Sequence, residues 1–209
     1  MAGYRHRRFA HSSAGEVSLS DLISDLTAGD DDLAERAARE IANLGDDALP
    51  ALFDLLDADA PDARWWGLRT LALIPHPEVP LRLQAALHDP APDVRQCAAL
   101  GLSKQPSVDA IPDLIAALES DDRLLARLAA DALIAVGSPA LPALIAALER
   151  GAPSAQREAA RALVQIGDPD AIPALYRAWN DGSAMVRYWA ETGLDKMGVG
   201  MVFFKAGGE

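Results

Sequence analysis

The side chains of the 209 residues suited to nucleophilic, acid–base or metal chemistry are scattered along the chain. There are four histidines. His6 and His11 lie close together near the N-terminus and make a weak metal pair. His76 precedes Pro77 as a turn residue. His88 stands beside Asp89, a contact too local for an acid–base pair, with no nucleophile near it. The single cysteine, Cys97, excludes an intramolecular disulfide and a cysteine-cluster metal site. Next to Ala98 and Ala99 it reads as a small buried filler, while Arg95 keeps a reactive thiol open. No Gly-rich phosphate loop, GxSxG elbow or HExxH pattern occurs. Carboxylates are abundant but dispersed: Asp30-Asp31-Asp32, Asp57 and Asp59, Asp89 and Asp93, Asp121-Asp122, then Asp181. Calcium needs about six to eight oxygens converging on one point. These read instead as a solvated edge and as charges at helix N-termini. No catalytic, metal or cofactor site is expected, and no cofactor is assigned.

What remains is the chemistry of recognition. Arg64, Arg95 and Arg187 occupy one frame position, with Asp62 and Asp93 two residues before the first two. They are expected to form a structural ladder in which each guanidinium bonds a carboxylate or an exposed carbonyl between neighbours; contact with a substrate is the other reading. Trp65 and Trp66 are adjacent, hence about 100° apart on a helix, and are expected not to be equally buried. An exposed tryptophan there points to a binding surface. Tyr176, Trp179, Tyr188 and Trp189 gather near the C-terminal end, where end-packing accounts for them. Asp54, Arg82, Asp113 and Arg177 share faces with Ala85-Ala86, Ala116-Ala117 and Ala146-Ala147 and could orient a partner in a groove for a helix or extended peptide. Tight helix packing explains the alanines equally well.

The elements that position these residues come from a repeat. Gly45, Pro75, Pro106, Gly137, Gly167 and Gly198 are 30 or 31 residues apart, the signature of a stacked array. Four residues before each stands Ile41, Leu71, Leu102, Leu133, Leu163 or Leu194. Eight before stands Ala37, Gly67, Ala98, Ala129, Ala159 or Ala190. The two positions share one helical face. Pro61, Pro92 and Pro153 suit a first helical turn, and Asp30, Asp122 and Ser183 suit N-caps. Asp46, His76, Ser107, Ser138 and Asp168 are expected to cap a second helix in each repeat, whose core ladder is Leu52, Leu83, Leu114, Leu144 and Leu175. Leu56, Leu87, Leu118, Leu148 and Trp179 form a second rung. Ser18–Leu26 reads as an unpaired second helix that opens the array.

Composition agrees. Half the chain is apolar but only 5% aromatic, which suits close-packed helices. The formal net charge of −12 opposes duplex nucleic acid and anionic membranes as partners. No apolar run is long enough to span a bilayer, and the N-terminus lacks the apolar core of a secretory signal; a reducing cytoplasm is the expected compartment. The repeat crosses the midpoint without a linker. Residues 1–17, with Arg5, Arg7 and Arg8, are expected to be a flexible basic leader, or an arm that contacts an acidic partner or the array's own acidic surface. Residues 18–198 form the array. In residues 199–209, Met201, Val202, Phe203 and Phe204 are expected to cap the last helix; the alternative is a tag that docks on another chain.

The pattern x-V-R-x-x-A-x-x-x-L-x-x-x-G followed by x-P-x-L-I-x-A-L resembles the short bacterial HEAT repeat, also described as the phycobilin-lyase HEAT-like repeat. Val94-Arg95, Ala98 and Leu102, then Val186-Arg187, Ala190, Leu194 and Gly198, carry the first half; Pro112–Leu118 and Pro142–Leu148 carry the second. The resemblance covers Ser18 to Gly198. It implies an all-α, right-handed α-solenoid of about five to six helix pairs with a period of 30–31 residues, first helices convex and second helices concave. It leaves function open. Most such proteins are scaffolds that bind a protein or peptide on the concave face, and a non-enzymatic module of this kind, monomeric, is the expectation. Phycobilin lyases, which handle an open-chain tetrapyrrole, are the alternative, although no residue identifies that branch. The deoxyhypusine hydroxylase branch needs paired His-Glu motifs, and the chain has no His-Glu dipeptide. HEAT-like DNA glycosylases need a basic concave cleft, which the acidic balance opposes.

Overall fold

Helices begin where the chain supplies an oxygen cap or a first-turn proline. The computed structural model describes residues 17–199. In chain order it contains α1 (Leu19–Leu26), α2 (Asp31–Asn43), α3 (Leu49–Leu56), α4 (Pro61–Leu71), α5 (Val79–Ala86) and α6 (Pro92–Lys104). There follow α7 (Ile111–Leu118), α8 (Arg123–Val136), α9 (Leu141–Arg150), α10 (Pro153–Ile166), α11 (Ile172–Asp181) and α12 (Ala184–Lys196). No strand occurs among the described residues. Ser18 and Asp21 close a capping box on α1. The Asp30 carboxylate accepts the Leu33 N–H at 2.9 Å, and Asp122 accepts those of Leu124 and Leu125 at 3.0 Å. Pro61, Pro92 and Pro153 are each the first residue of their helix, where no intrahelical N–H partner is lost.

The second helices start about three residues later than the expected caps at Asp46, His76, Ser107, Ser138 and Asp168. Each begins one residue before a proline (Pro50, Pro80, Pro112, Pro142, Pro173), which occupies the second helical position and needs no donor there. Short 3-10 turns bridge the gap at Gly45–Ala48, Ser138–Ala140 and Pro169–Ala171. Asp168 caps the last of these turns through the Asp170 N–H at 3.0 Å.

The chain ends its last described helix with a left-handed Gly198, φ 77°. The Val199 N–H donates to the Leu194 carbonyl at 2.9 Å and the Gly198 N–H to the Asp195 carbonyl at 3.0 Å. This double closure needs a residue that tolerates positive φ. Pro75 replaces such a glycine in an earlier repeat. There Gln105 of the following repeat donates to the carbonyls of Leu71 and Ile74, at 3.2 and 2.9 Å, and satisfies that helix end from outside.

Five helix pairs, α2–α3 through α10–α11, stack between α1 and α12. Leu52, Leu83, Leu114, Leu144 and Leu175 are fully buried, as are Ile41, Leu71, Leu102, Leu133 and Leu163. Each such side chain contributes about 1.5–3 kcal/mol. No pair could enclose these residues alone, so neighbours supply a continuous interior.

The two layers pack unequally. From α4 to α12 each first helix lies against the next along much of its length, and α2 does so more lightly. Second helices touch their like neighbours sparingly. The small residues along the series, Ala98, Ala129, Ala159 and Ala190, all fully buried, permit the closer approach.

Residues 1–16 and 200–209 lie outside the described residues, and with them the readings of the basic leader and of the Met201–Phe204 cap.

Candidate functional site

The open face of α2, α4 and α6 is the face away from Ile41, Leu71 and Leu102. Near the N-terminal ends of these helices it forms a groove of about 850 Å³. Trp65 and Trp66 make its floor. Both are half-buried and so partly exposed; they lean together edge to face, with ring centroids 4.8 Å apart and planes at 87°. Arg69 follows one turn later on α4. Its guanidinium lies 5.7 Å from the Trp65 ring centroid and reaches Glu35 on α2, with Nε donating at 3.0 Å and Nη2 at 2.8 Å to Oε2. Arg39, one turn beyond Glu35, adds a longer ion pair at 3.6 Å. Asp31, Asp62 and Asp93, each in the first turn of its helix, line the rim. All three are exposed and pair with none of the described residues. The sequence reading singled out the two tryptophans but missed Glu35 and Arg69. Their 34-residue separation, one repeat plus one helical turn, was the available signal.

Farther along the same wall, Arg161 is buried with its side chain only 4% exposed. It donates to Glu158 at 2.9 Å, to Asp131 at 2.8 Å and to the Arg127 carbonyl at 3.2 Å. These atoms satisfy one another, which makes the cluster a tie between α8 and α10.

The other candidate residues lie on the second helices, away from this groove. Asp54 is exposed. Arg82 stacks 4.5 Å from the Phe53 ring centroid. Asp113 accepts from Gln84 at 2.7 Å and meets His88 at 3.1 Å. Arg177 pairs with Glu149. Partners in this row sit 25 to 29 residues apart, so the residues expected to greet a partner mostly join one repeat to the next. His88 accordingly faces Asp113 of the following repeat rather than its neighbour Asp89.

The arginine ladder has two described rungs. Arg64 binds Asp89 through Nε and Nη2 and donates Nη1 to the carbonyls of Ala58 and Asp59, at 2.9 and 3.0 Å. The Arg64 guanidinium, helped by the Ala91 N–H, holds the Asp89 carboxyl below its usual range. Arg95 donates to the carbonyls of Asp89 and Pro90 at 2.8 and 3.0 Å. Arg187 is exposed and hydrogen-bonds to none of the described residues, so the third rung is corrected. The matching carbonyls belong to Asp181, the last residue of α11, and Gly182. The junction there is two residues long, against four before α4 and five before α6.

Cys97 is buried, with Sγ 3.6 Å from the Trp65 carbonyl, and burial pushes its thiol up to about 12. It fills space behind the tryptophan floor and is no nucleophile. No group of described residues could hold a metal ion, and no described helix is long and apolar enough to cross a membrane.

A family model described as HEAT repeats matches residues 19–103, 54–134, 79–154 and 111–195, together most of the chain. The chain belongs to the HEAT-repeat family. Solved structures similar to this HEAT-repeat chain include the complex of CpcE and CpcF of phycocyanin lyase from Nostoc sp. PCC7120. It is 22% identical, with a TM-score of 0.53 over 93% of this chain and 82% of that one. The E. coli protein YibA is 18% identical, with a TM-score of 0.61 over 95% and 80%. A designed armadillo repeat protein in complex with peptide (KR)4 is 17% identical, with a TM-score of 0.53 over 86% and 99%. At these identities the likeness is one of fold. No curated protein sequence matches the chain.

Proposed function

We propose that this HEAT-repeat protein is a non-enzymatic interaction module that binds a protein or peptide in the groove on the open face of its first helices. The observation that carries the reading is the groove over Trp65 and Trp66. It is open, floored by aromatic rings and rimmed by carboxylates without described partners. Aromatic anchors in partly desolvated grooves are where binding energy concentrates. The reading also draws support from the described histidines and cysteine, none of which faces the groove, and from the internal pairing of the outer row. The related designed solenoid is described with a bound peptide, which is consistent with this use of the fold.

Affinity capture with the full chain tests the proposal. A partner whose retention is lost with Asp62→Lys/Asp93→Lys and kept with Asp54→Lys/Asp109→Lys, two exposed carboxylates outside the groove, supports it. Retention indifferent to the groove pair contradicts it. A pigment acquired on co-expression with bilin would favour the lyase-like alternative instead.

A further inference from the structure

We infer that the groove takes an extended, arginine-bearing segment of its partner, with basic side chains at every third position. This rests on the groove over Trp65 and Trp66 being the binding surface and adds the chemistry of what lies there. The groove already contains one guanidinium, its own Arg69, held between the Glu35 carboxylate and the Trp65 ring. Beside it the same ingredients recur without a cation. Trp66 is half-buried against Trp65, and Asp62 and Asp93 stand at the rim with no described partner. Four carboxylates (Asp31, Glu35, Asp62, Asp93) face a single arginine that is already paired, so the complement is cationic. A planar, weakly hydrated guanidinium stacks on indole and bonds a carboxylate edge at once, which an ammonium does less well.

Spacing selects the conformation of the segment. The rim carboxylates recur once per first helix, and packed helices lie about 8–10 Å apart. A polyproline-type segment returns to the same face every third residue, after about 9 Å. A β-strand returns after about 7 Å, and a helix presents its neighbouring side chains about 5–6 Å apart; neither keeps step with the repeats.

The test is titration of the full chain with the labelled peptide Arg-Pro-Ala-Arg-Pro-Ala-Arg, its isomer Arg-Arg-Arg-Pro-Pro-Ala-Ala, and a lysine counterpart of the first. The expected order places the spaced arginine peptide tightest. Its affinity should fall about tenfold or more with Asp62→Lys/Asp93→Lys and by less than about twofold with Asp54→Lys/Asp109→Lys. Equal binding of the isomers, or indifference to the groove pair, overturns the inference. Binding that appears only after Arg5→Ala/Arg7→Ala/Arg8→Ala assigns the groove to the chain's own basic segment and overturns the assignment to a partner. If the peptides fail while capture still depends on the groove pair, this inference falls and the proposed function stands. Capture indifferent to the groove pair removes that function itself.

Discussion

Arg64 and Asp89 join successive repeats through two parallel hydrogen bonds, Nε to Oδ2 at 2.7 Å and Nη2 to Oδ1 at 2.8 Å. Their side chains are 13% and 10% exposed. Removing one partner of a pair this shielded leaves the other charge uncompensated, at about 3 kcal/mol or more. Asp89→Asn should lower the urea midpoint accordingly and shift Tm down by several degrees. An unchanged midpoint would show the pair to be ornamental.

The same pair sets an acid limit. Because the folded Asp89 carboxyl lies below its unfolded value, its stabilisation is present in full above the ordinary carboxylate range, near pH 4. It is lost as pH falls through the folded value. Thermal melts from pH 7 down to 3 should therefore converge for the native chain and Asp89→Asn at the acid end. A constant gap between them contradicts this.

The two-residue junction after α9 depends on a glycine. A Cβ at Gly151 would lie 2.5 Å from the Ala147 carbonyl oxygen and 3.2 Å from the Ala155 Cβ. Gly→Ala elsewhere commonly stabilises by about 0.4–1 kcal/mol. Here it should destabilise by about 1–3 kcal/mol, comparable with overpacking. Chemical denaturation of Gly151→Ala gives the sign directly.

Arg161 and Glu158 form a buried ion pair, and its two members should not behave independently. Arg161→Ala leaves Glu158 only its longer contact with Arg157, at 3.5 Å, and should cost about 3 kcal/mol, whereas Arg161→Met/Glu158→Leu should recover much of that loss. A double-mutant cycle in urea measures the coupling, and additivity would refute it.

Cys97 should resist a thiol reagent at pH 8 while the chain is folded, because its thiol is both buried and neutral there, and react at once in denaturant. Rapid labelling of the folded chain would mean that α4 and α6 open readily behind Trp65.

The phase of the array was legible because the 30–31-residue period places Leu52 and its four counterparts on one face, and because Asp30 and Pro61 mark helix starts by local chemistry. The pairing of Arg82, Asp113 and Arg177 across repeats was not, because Phe53, Gln84 and Glu149 lie 28 or 29 residues away in sequence. Trp65 and Trp66 were visible by type, but the groove became visible only when Glu35, a repeat away in sequence, came to rest against Arg69. Arg187 looked like Arg64 and Arg95 by frame and differs because its loop is shorter, a distinction the motif does not contain.

Hydrogen–deuterium exchange on the full chain, free and saturated with a captured partner, tests the central claim most directly. The account predicts new protection in the segments spanning residues 27–35, 60–69 and 91–94, which line the groove, with α3, α5 and α7 unchanged. Protection confined to the second helices, with the tryptophan groove exchanging as before, would contradict it.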